Sequence, residues 1–181
     1  MKTVRIRQVK KEIRLLGIVA KSSSRGRQLN IIGVIYRGGL CLDGVLRTTA
    51  PGPDITDATV ETITKSSHLP QIRVIILHND LIERGASIDP CKLATGTSRP
   101  VIILSAAEDL TSNIEECDDL LVKRFNQELG GNIQQVFSVG LSSHDAKEIL
   151  KISMGRRAMP EALRVADLIA QTLANGCDQN V

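Results

Sequence analysis

Groups able to do chemistry are few in this chain of 181 residues, and they are scattered. The four cysteines, Cys41, Cys91, Cys117 and Cys177, form no CxxC pair and have no histidine at ligand spacing, which argues against a zinc site. They are expected to be buried thiols, with an intramolecular disulfide as the alternative found in hyperthermophile cytosols. The acidic run Glu115, Glu116, Asp118 and Asp119 invites a metal reading. Adjacent carboxylates on a helix point in different directions, however, so the run reads as a solvated face. Phosphate binding has better material. Gly155, Arg156 and Arg157 precede the last expected helix, where N-terminal amides and two guanidinium groups could hold an anion, and Arg25 and Arg27 form a second basic turn. The bland alternative is a charged loop kept for solubility. Among the histidines, His78 ends an aliphatic run, while His68 and His144 read as loop and cap-region residues.

Charge points the same way. Residues 1–27 carry nine Lys or Arg against the single Glu12, whereas the whole chain has a net charge of only +3, so the remainder is acidic. An anionic partner, DNA or RNA, is therefore expected at the basic N-terminal region. Only Tyr36, Phe125 and Phe137 are aromatic, which excludes ladders of base-stacking side chains and aromatic membrane belts. No run of 18 apolar residues exists and Met1 to Lys11 lacks a hydrophobic segment, so no membrane partner is expected and the location is read as cytoplasmic.

The elements that must position these groups follow from the apolar pattern. Ile13 to Ala20, Leu29 to Tyr36 and Leu40 to Leu46 are β-branched runs separated by turn compositions and read as three antiparallel strands. Asp54 caps an expected helix from Ile55 to Ser66, with Val60 and Ile63 on one face. Ile72 to Leu77 and Pro100 to Leu104 have no polar alternation, as in parallel strands covered on both faces, with a short helix near Pro90 to Ala94 between them. Ser105 and Glu108 make a capping box for an expected helix whose stripe is Leu110, Ile114, Cys117, Leu121 and Phe125, ended by Gly130 and Gly131. A short strand at Val136 to Val139, a helix capped by Ser142 or Ser143 and running to about Ser153, and a last helix from Pro160 to near Gly176 complete the chain. No repeat or long linker divides it, so residues 1–181 are expected to form one domain with a basic N-terminal segment (1–12).

This order is not that of a doubly wound nucleotide-binding fold, and no GxGxxG or P-loop follows the first strand. It is the α/β order of a ribonuclease H-like mixed sheet: three antiparallel strands, then parallel strands, flanked by helices. In that architecture, carboxylates from the first strand, the fourth strand and a C-terminal helix must converge to hold two divalent cations on a phosphodiester.

The segments YRGGLCLDGVL (Tyr36 to Leu46), RVIIL (Arg73 to Leu77), LSSHDAKEILKI (Leu141 to Ile152) and MPEALRVADLIA (Met159 to Ala170) resemble the mainly archaeal family called domain of unknown function ninety-nine. That family is a distant relative of endonuclease V, which cuts nucleic acid beside deaminated purines with a carboxylate-held metal. The resemblance implies a first strand ending in glycine, an aliphatic residue and one or two Asp. Here Gly17 and Ile18 are followed by Val19 and Ala20. It implies Asp then Gly on the fourth strand, and here His78 and Asn79 stand there. Asp167, in the C-terminal helix, falls where endonuclease V relatives place a metal-side acid or His, and Arg156 matches an Arg of the family pattern while Arg157 replaces its usual Gly. Endonuclease V relatives also part the strands with an aromatic wedge, for which this chain has no matching segment.

Magnesium prefers oxygen ligands in near-octahedral geometry, so replacing one Asp by Val and another by His removes much of the charge that would hold it. The expectation is a degenerate metal site in a non-catalytic nucleic-acid-binding or regulatory protein. One alternative is an endonuclease with a site remodelled around His78 and Asp167, with Asp80 as a further ligand and magnesium, manganese or zinc as the ion. Another is a protein-interaction module. Each candidate also has a structural reading: Asp167 pairing with Arg164 or Gln171 along its helix, His78 as a neutral strand-end histidine, and Asp43 bonding local backbone.

Overall fold

A computed structural model describes residues 9–22, 28–105, 120–155 and 158–175. Its centre is set by β1 (Arg14–Ser22), in which every residue from Leu15 to Ala20 is buried. A strand apolar on both faces needs neighbours on both edges and helices above and below. β1 has all four. It pairs antiparallel with β2 (Leu29–Arg37) and parallel with β4 (Val74–Ile82). β3 (Cys41–Ala50) lies outside β2, and β5 (Val101–Ser105) runs parallel to β4. β7 (Asn132–Val139) and β6 (Val122–Leu129) finish a seven-stranded sheet of order β3-β2-β1-β4-β5-β7-β6.

Side-chain alternation divides the core. Leu15, Val19, Val74, Ile76, Ile102 and Leu104 face α3 (Ser143–Ser153) and α4 (Glu161–Asn175). Leu16, Ile18, Ile75, Leu77, Val101 and Ile103 face α1 (Thr56–Lys65) and α2 (Pro90–Thr97). Helix α4 sits directly on β1 at Gly17. A Cβ there would lie 2.6 Å from the Ala162 carbonyl carbon and 2.7 Å from the Leu163 nitrogen, so glycine sets how closely the helix approaches.

Three expectations need correction. Leu121 and Phe125 do not lie on a helix: Phe125 belongs to β6, and Gly130 and Gly131, with φ of 58° and 86°, form the two-residue turn of the β6–β7 hairpin. The earlier part of that stripe lies outside the described residues. Asp54 sits one residue before the N-cap Ile55, accepting bonds from the Thr56 amide and hydroxyl at 2.9 and 2.6 Å. Nor are all four cysteines buried thiols. Cys41 is free and exposed because it opens the edge strand β3, and Cys91 is disulfide-bonded; Cys117 and Cys177 lie outside the described residues.

Candidate functional site

The carboxyl ends of β1 and β4 meet at an irregularity. Ile18 is registered with Leu77, but the next registered pair is Ala20 with Ile82, so β4 bulges outward over His78 to Leu81. The Ala20 carbonyl accepts from the Glu83 amide at 2.9 Å and the Glu83 carboxylate accepts from the Ser22 amide at 2.8 Å, tying the two strands together beyond the bulge.

His78 is 5% exposed at the start of this bulge. Its Nδ1 accepts the Asp80 amide proton at 3.2 Å, which closes the turn and leaves the ring proton on Nε2 in the neutral tautomer. Burial pushes the imidazole pKa below its ordinary value, with the Asp80 carboxylate opposing that shift from 4.0 Å. The nitrogen nearest Asp80 is therefore already used by the backbone. Asp80 itself is largely exposed and lines a cavity of about 480 Å³ with Leu77, Ile82, Glu83, Arg84 and Ile103. Leu77 and Ile103 belong to the α1–α2 side of the sheet, so this cavity opens there.

Asp167 lies on α4, whose Leu163, Ala166 and Ala170 pack on the other side of the sheet together with Val19. Its Oδ2 accepts from the Gln171 side chain at 2.6 Å. Arg164 does not join it, bonding instead to Glu161 at 2.9 and 2.7 Å. The cation that does reach Asp167 comes from β1: Lys21 Nζ is 3.7 Å from Oδ1, an oxygen that is buried and accepts no hydrogen bond. Lys21 follows Val19 by two residues and so projects from the same face of β1.

The structure thus brings Lys21 to Asp167 and His78 to Asp80. Among the described residues, no three of His, Cys, Asp and Glu gather in a way that could hold a metal ion. A divalent metal, as ribonuclease H-like nucleases use it, does not fit these donors. Val19 and Ala20 offer only hydrocarbon and are 0% exposed, His78 Nδ1 is spent on the bulge, and Asp167 faces an ammonium group. Arg25, Arg27, Arg156 and Arg157 lie outside the described residues, as does the acidic run Glu115 to Asp119.

Two further sites are worth separating from this one. Asp43 bonds side chains, not local backbone: it accepts from Arg14 Nε and Arg37 Nη2, each at 2.7 Å. A wide cavity of about 670 Å³ between the β6–β7 hairpin and α3 has Lys147 and Lys151 balanced by Glu128 and Glu148, so it presents no single-sign field. Sequence reasoning missed Lys21, whose only signal was its position two residues after Val19 on the same strand face.

The sheet order, the helices on both faces and the crossing of β1, β4 and α4 define an α/β protein of the ribonuclease H-like class, built like endonuclease V. More specifically, the chain belongs to the endonuclease dU family, whose sequence pattern matches residues 11–174. It is 34% identical to a UPF0215 protein of Methanothermobacter thermautotrophicus over 97% of this chain and 95% of the relative. It is 30% identical to the UPF0215 protein of Methanopyrus kandleri, covering 96% and 97%. Among solved structures, a protein of unknown function from Archaeoglobus fulgidus superposes with a TM-score of 0.70 at 23% identity, over 90% of this chain and 99% of that one. Endonuclease V of Ciona intestinalis, in complex with DNA containing an inosine followed by a ribo-adenosine, superposes with a TM-score of 0.65 at 12% identity over 96% and 89%. At those identities the likeness is one of fold.

Proposed function

We propose that this protein is a nucleic-acid-binding member of the endonuclease dU family that does not cut by divalent-metal catalysis. The observation that carries this reading is the hydrocarbon at the end of β1: Val19 and Ala20, fully buried, stand where a metal-holding carboxylate would have to project. Two-metal cleavage needs oxygen donors on both sides of the scissile phosphate, and one acid on α4 cannot supply them. The binding half of the proposal rests on the basic residues 1–27 and on the fold shared with an endonuclease V that was captured on DNA. Asp80, on the rim of the cavity at the strand ends, is a candidate contact rather than a ligand.

The test has two arms. Affinity for single-stranded and duplex DNA and for RNA, measured by fluorescence anisotropy between 50 and 200 mM salt on the scale typical of phosphate-contacting proteins, should fall steeply as salt rises. Binding that ignores salt, or no binding to any polymer, sinks the nucleic-acid reading and leaves a protein-interaction role. In parallel, uracil- and inosine-containing strands are incubated with magnesium or manganese. No cleavage is expected; cutting that disappears in Asp167→Ala would instead establish an enzyme remodelled around His78 and Asp167.

A further inference from the structure

We infer that Lys21 is a resident replacement for the metal: its ammonium group supplies the fixed positive charge beside Asp167 and is the group that receives a phosphodiester oxygen at the end of β1. The inference rests on the nucleic-acid reading above and adds to it a particular atom and a ligand class.

Geometry and chemistry carry it together. Lys21 and Asp167 come from the first strand and the last helix, and their side chains are 27% and 19% exposed, so the pair is partly withdrawn from water without being sealed. Asp167 Oδ1 has lost its solvent and gained no hydrogen bond, and the ammonium group 3.7 Å away is the charge that compensates it. At that separation the contact is a charge pairing and not a formed hydrogen bond, so all three ammonium protons remain able to turn toward an anion. A lysine is a compact point charge on a flexible stem, suited to a single phosphate oxygen. It neutralises but cannot bridge two oxygens or activate water as a divalent ion does, which makes a binder of what would otherwise be a cutter. The neighbouring groups agree: Val19 carries no charge, and His78, whose Nδ1 accepts the Asp80 amide proton, is buried with its pKa lowered, so neither competes with the ammonium for an anion.

The probe is a fluorescein-labelled DNA 20-mer, single-stranded and as duplex, titrated with full-length wild type, Lys21→Gln, Lys21→Arg and Asp167→Asn. Lys21→Gln is expected to weaken binding about three- to tenfold at low salt and to reduce the log–log salt slope by about 0.7–0.9, the loss of one phosphate contact. Lys21→Arg should restore both, and Asp167→Asn, which frees the ammonium, should bind at least as tightly as wild type. If wild type binds but Lys21→Gln shows the same affinity and slope, the assignment of Lys21 fails while the nucleic-acid reading stands. If wild type binds neither probe, the assignment of Lys21 fails, and the nucleic-acid reading stands or falls with the RNA titration. A second measurement needs no nucleic acid: manganese titration followed by electron paramagnetic resonance should show no bound ion in wild type. One equivalent bound by wild type and lost in Asp167→Asn would overturn the replacement.

Discussion

Two aspartates at different places on the sheet have similar exposure and opposite fates. Asp43 is 13% exposed in its side chain and Asp167 19%, so burial does not separate them. Their partners do. Asp43 is the extra residue of a β2–β3 bulge, and its two oxygens accept from Arg37 and Arg14, which hold its carboxyl below the usual carboxylate range, the Arg37 bond being the larger cause and burial opposing it. Asp167 has one amide hydrogen bond and a distant ammonium, with Oδ1 left without a donor. A saturated carboxylate ties down three strands and has nothing left to offer a ligand. A carboxylate whose buried oxygen lacks a donor, beside a partly exposed ammonium group, is where that cation can turn to an external anion.

Substitutions at both places test that contrast. The largest effect is expected at the seat of Asp167: Leu163→Ala, at a fully buried position on the sheet-facing side of α4, should cost about 2–5 kcal/mol by denaturant unfolding. If Asp167 merely decorates the surface, DNA affinity in native buffer would be untouched by this loosening. Gly17→Ala comes next. Its added methyl meets the α4 backbone and should cost about 1–3 kcal/mol, whereas the same change at Gly52, where nothing lies within 4 Å, should be near neutral.

Asp43→Asn tests the other side of the comparison. It should lower the thermal midpoint by roughly 2–4 °C at pH 7, the shift that about 1 kcal/mol produces in a chain of this size. Because the folded carboxyl titrates below its unfolded value, the stabilisation is present above the ordinary carboxylate pKa and is lost as pH falls through the folded one. Wild type and variant should therefore converge in acid. DNA binding should not change, and a loss there would erase the distinction between the two aspartates.

His78 has the same sign of linkage by a different cause. Burial holds its folded pKa below the ordinary value near 6.5, so its contribution is complete above that pH and declines as pH falls through it, when the unfolded chain takes up the proton first. His78→Gln should flatten stability between about pH 5 and 7, read by urea midpoints. An unchanged slope would mean that the ring is not withheld from protons. The smallest effect is expected for the pair itself: a double-mutant cycle between Lys21→Gln and Asp167→Asn should give a coupling under about 1 kcal/mol in stability, as partly exposed pairs do. A large coupling would make the pair a structural one like that of Asp43.

Much of this was legible before any coordinates. Runs such as Ile75–Leu77 and Val101–Leu104, short, β-branched and apolar without alternation, are expected to be strands covered on both faces, and they are. Leu121 and Phe125, four residues apart, satisfy helical spacing as well as strand alternation, so the pattern alone does not separate a helix from β6 there. The Gly130–Gly131 pair was the available signal for a hairpin, and what settles the matter is the partner strand β7.

The residue types alone fix that Val19 and Ala20 bring no side-chain ligand atom to β1, whatever the chain folds into. What stands beside them depends on how distant segments pack. The pairing of Lys21 with Asp167 joins the first strand to the last helix, and the use of His78 Nδ1 to close a bulge depends on the register between β1 and β4. Neither leaves a local trace, because a charge pair between distant segments and a hydrogen bond set by strand register exist only once the α4 helix and the β4 strand have packed against β1.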